Sequence, residues 1–171
     1  MTYQPQGDAS REDVATLCDF LLGEPSVTAG LRRWTGGALT FTIVRRGIRC
    51  ATPDEVRTLG RDVGLVQHRE IQFGNTAGTP LMTARAVVAL RHLPWGHAIR
   101  VCLGRRPLGD VLSPLGFERV RHAERIMLDM DVPLEQTSVL LMRGLPVAVL
   151  TERYRRAALG YAESARGGAI G

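Results

Sequence analysis

The sequence predicts an α+β fold: a single domain in which an antiparallel sheet of about six strands carries helices packed on one side. Three observations predict it. Helically spaced apolar residues gather near the N-terminus, alternating β-branched segments take over from Leu39, and the links between those segments are mostly short and rich in Gly, Asn and Pro. Short links join antiparallel neighbours, whereas parallel strands need long crossovers. A length of 171 residues favours one domain. The domain is read as residues 10–156, with residues 1–9 disordered and 157–171 a C-terminal tail that frays at Gly167 to Gly171.

The elements follow in order. Ser10 is placed to cap a helix with acids in its first turn, and Val14, Leu17, Cys18, Leu21 and Leu22 recur at helical spacing until Gly23 and Pro25 stop it. Ser26 can cap a second, short helix that runs to Trp34. Leu39 to Val44 alternates as a strand, and a loop rich in Thr, Pro, Asp and Gly runs from Cys50 to Gly64. His68–Phe73 and Leu81–Leu90 read as two strands of a hairpin around Gly74–Pro80. Pro107 to Leu112 reads as a short helix and Phe117 to Asp129 as a long strand. Ser138–Met142 and Pro146–Tyr154 close a last hairpin around Arg143-Gly144-Leu145.

Composition narrows the chemistry. All 22 basic side chains are arginine against 17 acids, a net charge of +5, and the chain has no lysine. Schiff-base and pyridoxal chemistry need a lysine amine, and a Walker A loop needs its Lys. The four histidines and three cysteines show no zinc-site or zincin spacing, and the histidines read as surface or structural residues. The sequence lacks a GxSxG elbow and a GxGxxG loop. Neither cofactor nor metal is expected. The sparse, odd set of cysteines fits a reducing cytoplasm, and no apolar run is long enough to span a membrane. A fixed positive charge suits anionic partners.

Two charged residues stand inside apolar strands. Arg85 is the lone charge of Leu81–Leu90, on the face with Leu81, Thr83, Val87 and Ala89, and both faces of that strand are largely apolar. A guanidinium covered on both sides needs a partner. It reads either as a fork for a ligand carboxylate or as half of an internal ion pair. Glu152 ends the uncharged run from Pro146. It reads as a carboxylate that accepts a hydroxyl proton or hydrogen bond in a pocket, as a strand end emerging beside Arg153, or as the partner of Arg85.

Four short segments, in order and at similar spacing over about residues 15–155, resemble the chorismate pyruvate-lyase family. They are Ser26-Val27-Thr28; the hairpin holding His68-Arg69-Glu70-Ile71, Gly78-Thr79-Pro80 and Ala84–Val88; Leu103–Leu112; and Gly144-Leu145-Pro146 with Leu150–Tyr154. The resemblance implies an antiparallel sheet carrying helices and a cofactor-independent elimination of pyruvate from chorismate that leaves 4-hydroxybenzoate. It implies that Arg85 and Glu152 are the catalytic residues, that Arg85 holds the ring carboxylate with help from the Val27 amide, and that Glu152 and the Leu108 backbone contact the 4-hydroxyl. The chain departs from the family pattern at Ala84 (Gly in the family), at Val27 (Met) and at Gln136-Thr137 (two arginines).

Aromatisation of the ring drives such an elimination, so the protein has mainly to orient two carboxylates and stabilise the departing enolpyruvate. A cytoplasmic monomer with a small anionic substrate is expected, without nucleic acid or membrane as partner. Two further readings stand beside it. The same fold resembles the UTRA effector domain of GntR-type regulators. With 38 residues before Leu39, too few for a winged-helix domain, that reading becomes a stand-alone, non-catalytic sensor of small aromatic acids. The other is a related enzyme acting on another carboxylated ring. A pI of about 9.8 suggests nucleic acid, but aromatic residues at 5% and the lack of a reader motif argue against it.

Overall fold

A computed structural model describes residues 10–161 except Pro25 and Asp129. The disorder expected for residues 1–9 and the fraying expected at Gly167 to Gly171 lie outside the described residues.

The chain opens with α1 (Arg11–Leu22), where Ser10 and Asp13 cap each other's backbone in a capping box. It continues into α2 (Val27–Thr35), whose N-cap Ser26 accepts from the Ala29 amide. The sheet is built from β1 (Leu39–Cys50), β2 (Leu65–Asn75), β3 (Pro80–Ala89), β4 (Glu118–Ile126), β5 (Leu134–Met142) and β6 (Leu145–Tyr154). All neighbours are antiparallel, in the order β1-β2-β3-β6-β5-β4. The β5–β6 turn places Arg143 and Gly144 at φ 52° and 78°, the left-handed pair that a tight hairpin turn demands.

The remaining helices are α3 (Pro53–Leu59), α4 (Trp95–Leu103), α5 (Leu108–Leu112) and α6 (Arg156–Leu159). Two of them were not expected. The segment read as a loop from Cys50 to Gly64 holds α3, started by Pro53 and by a capping box between Thr52 and Glu55. Helix α4 follows Pro94. The strand limits also move: β1 extends to Cys50, β4 stops at Ile126, and β5 begins at Leu134 rather than Ser138. The tail begins inside the core, since Ala158 and Leu159 of α6 are buried and the Trp34 indole donates to the Ala158 carbonyl at 2.8 Å.

The antiparallel sheet with helices is the predicted α+β architecture, and its inner face carries two apolar clusters. One joins α1, α2 and α6 to Ile71, Phe73, Met82, Leu134 and Tyr154. The other joins α4 and α5 to Ala86, Val88, Leu140 and Ala148. Helix α3 lies against the outer face, where Leu59, Val63, Val66 and Ala89 pack with Val87 and Val149, so helices cover part of both faces rather than the one side expected.

Candidate ligand pocket

The gap between the two inner clusters is the site. It is a recessed cavity of about 60 Å³, counted as the space open to the centre of a water molecule. Its floor is two rows of the sheet: Ile71, Ala84 and Glu152 in one register, and Arg69, Ala86 and Leu150 in the next. Alanine at both β3 positions leaves the hollow that larger side chains would fill. The rim is formed by Ser26–Thr28 at the start of α2 and Pro107–Gly109 at the start of α5. The two rims touch, because a Cβ on Gly109 would stand 3.0 Å from the Ser26 Cβ.

Arg69 is the polar group that sets the chemistry. It projects from β2 on the face of Ile71 and Phe73 and is 1% exposed. Its Nη2 donates to the Arg106 carbonyl at 2.9 Å, while Nε and Nη1 are buried and, among the described residues, have no hydrogen-bond partner. Among the described residues no carboxylate lies within ion-pair distance of it. Burial, and then the charge of Arg46, lower its proton affinity below that of an ordinary guanidinium. A buried cation with two idle donors against an apolar wall is costly as it stands, and an anion would offset that cost.

Glu152 also reaches the pocket wall and is 2% exposed. It is already occupied: Arg119 pairs with it and the Tyr154 hydroxyl donates to it at 3.2 Å. Arg119 Nε in turn donates to Ser138 Oγ at 3.1 Å. Burial raises the Glu152 carboxyl above its ordinary value, against the opposing pull of Arg119, and burial holds the Tyr154 phenol well above 10, so that it stays a neutral donor.

The sequence-predicted residues separate here. Val27, Leu108 and Glu152 line the cavity, at the first turns of α2 and α5 and on β6. Arg85 does not. It alternates with Ala84 and Ala86, which face the cavity, so it points to the outer face, with its side chain 59% exposed and its Nε 3.3 Å from Glu70. The expectation of a strand covered on both sides is corrected: α3 shields Val87 on the outer face and leaves Arg85 in solvent. Nor is Glu152 the partner of Arg85, since Arg119 takes that place.

Arg69 and Arg119 were not singled out from the sequence as site residues. For Arg69 the signal was present, a charge sharing the alternation of Ile71 and Phe73. At the Gln136-Thr137 departure, Gln136 stands opposite Glu152 and donates to Glu124 at 3.1 Å. Gln136 also touches Cys18, whose thiol burial pushes up to about 11. Among the described residues no three His, Cys, Asp or Glu side chains converge to hold a metal, and no helix is long and apolar enough to cross a membrane.

Solved structures share this architecture. PhnF from Mycobacterium smegmatis superposes with a TM-score of 0.61 at 16% identity, covering 78% of this chain and 64% of that regulator. Its effector domain alone gives 0.61 and 16%, covering 77% of this chain and 89% of the domain. The fold is that of a UTRA-type effector domain. The C-terminal domain of the histidine utilization repressor from Pseudomonas syringae pv. tomato has it too, with a TM-score of 0.52 at 13% identity over 71% of this chain and 94% of that domain. The chain thus spans less than two thirds of the PhnF chain it superposes on. No protein-family model matches the sequence, and comparison with curated proteins gives no significant match.

Proposed function

We propose that this UTRA-like domain is a non-catalytic sensor that binds a small organic anion in the Arg69 pocket. The observation that carries the reading is Arg69 itself, buried and, among the described residues, lacking a carboxylate partner and left with two unused donors beside apolar walls. The ligand has an apolar or aromatic body, which lies against Ile71, Met82, Phe117 and Leu150, and an anionic end at the guanidinium. The likeness in fold to effector domains of regulators supports binding rather than turnover. Calorimetric titration of benzoate and 4-hydroxybenzoate into wild type and Arg69→Met tests it. Binding by the wild type and a ten- to hundredfold loss in the variant are expected, the range for one charge-assisted contact, about 1.5–3 kcal/mol. Equal affinities would remove Arg69 from the site.

Chorismate lyase activity is the second reading, favoured by one observation, the buried Glu152 on the wall of the same cavity. As a base it would have to leave Arg119 and Tyr154. Incubation with chorismate alone separates the two readings: steady release of pyruvate and 4-hydroxybenzoate, abolished by Glu152→Gln, would establish the lyase. Binding without release is the outcome a sensor gives.

A further inference from the structure

Arg69 faces another arginine. In the β1–β2 ladder Arg46 stands directly opposite it, so the two side chains leave the sheet on one face. They also reach for one loop. Arg46 Nη1 lies 3.4 and 3.2 Å from the carbonyls of Leu103 and Gly104, and Arg69 Nη2 is 2.9 Å from that of Arg106. Among the described residues neither has an ion-pair partner.

The neighbouring register shows the contrast. Arg45 stands opposite Glu70, an ordinary opposite-charge pair, whereas one step along two like charges meet. Like charges directly opposite each other destabilise a sheet. Arg45, Arg46 and Arg105 also line a groove along β1, together with Phe41 and Thr42. Three arginines and no acid line that groove, and Arg46 is the one that shares a register with the buried Arg69.

Resting on the sensor reading above, we propose that the Arg46–Arg69 pair selects a ligand with two negative charges at its anionic end, a phosphate monoester or a dicarboxylate, over a monocarboxylate. Arg69 takes the buried oxygen, and Arg46, exposed at the edge strand, meets the second charge. One carboxylate at Arg69 relieves much of the cross-strand repulsion but leaves Arg46 without an anion, and a dianion gives each guanidinium its own charge.

Three probes of like ring size test this by calorimetry at pH 7.5: benzoate, phenyl phosphate and benzene-1,3-dicarboxylate. At least one dianion is expected to bind ten- to hundredfold more tightly than benzoate, the worth of one further charge-assisted contact, and the better dianion names the chemistry. Arg46→Gln should bring that ratio to about one, through loss of dianion affinity rather than gain of benzoate affinity. Because Arg46 is exposed, this variant should keep its fold, which circular dichroism checks. If phenyl phosphate is the better ligand, lowering the pH through its second ionisation, near about 6 as for phosphate monoesters, should shrink its advantage. Benzoate binding that depends on Arg69 but equals both dianions overturns this inference and leaves the sensor reading standing, as does a preference untouched by Arg46→Gln. Failure of all three probes to bind overturns both.

Discussion

Two arginines on the β2–β3 hairpin sit within one register step of each other and lead opposite lives. Arg69 stands opposite Ala86 and points inward; Arg85 stands opposite Glu70 and points outward. The inner one is buried and, among the described residues, has no carboxylate and keeps idle donors; the outer one is largely in solvent and has its acid beside it. Charge and apolar flanks are common to both, so neither feature marks a binding site. What separates them is whether the chain supplies the counter-charge. A surface pair of this kind contributes about 0–1 kcal/mol, whereas an unanswered buried cation carries a standing penalty that a ligand can remove.

That contrast can be broken most severely at Arg119, which is partly buried and paired with a buried acid. Arg119→Met leaves Glu152 buried without its cation and should destabilise the fold by about 3–5 kcal/mol at pH 8, read as a lower urea midpoint. A loss below about 1 kcal/mol would mean that Tyr154 alone satisfies the carboxylate. Arg69→Met should do the reverse. Removing a buried group with unsatisfied donors should raise stability by about 1–3 kcal/mol while ligand affinity falls, and a melting curve beside the titration reads both. A fall in both would assign Arg69 to the framework.

The next effect is one of pH. Burial raises the Glu152 carboxyl above its unfolded value of 4.5. Between the two values the folded chain holds a proton that the unfolded chain has released. The stability this group contributes is therefore fully present below pH 4.5 and declines as the pH rises through the folded value. Relative to Glu152→Gln, the wild type should lose ground with rising pH, measured by urea unfolding from pH 4 to 8. A difference growing with pH would mean that Arg119 outweighs burial. The smallest effect belongs to Arg85→Ala, with stability changed by less than about 1 kcal/mol and benzoate affinity unchanged. A tenfold loss of affinity would restore Arg85 to the site.

The fold class was legible because period and turn chemistry are local. Val14 to Leu22 can only be amphipathic as a helix, and the Gly74–Pro80 link can only return a strand. Helix α3 was legible too, in Thr52-Pro53-Asp54-Glu55, but its seven residues are polar enough to pass for a loop. Of the site, Val27, Leu108 and Glu152 came from motif position, and Glu152 proved buried. The face of Arg85 was not legible. Alternation gives two faces without saying which the helices cover, and the alanines of β3 made both look apolar. The pairing of Arg119 with Glu152 runs across 33 residues of chain and needs the β4–β5–β6 register that no local pattern supplies.

The bond from Arg69 to the Arg106 carbonyl has a thermodynamic side. A free arginine side chain gives up roughly 2 kcal/mol of rotamer entropy when it is fixed. Packed inside the sheet and held to that carbonyl, Arg69 has lost this freedom before any anion arrives. Binding then orders the incoming molecule and little of the protein around the guanidinium. Arg46, exposed on the edge strand and held only at 3.2 Å or more, still has freedom to lose. One end of the anion therefore meets a rigid partner and the other a yielding one. Of the two contacts, the rigid one should govern how long a ligand stays and the yielding one how many shapes of ligand are admitted.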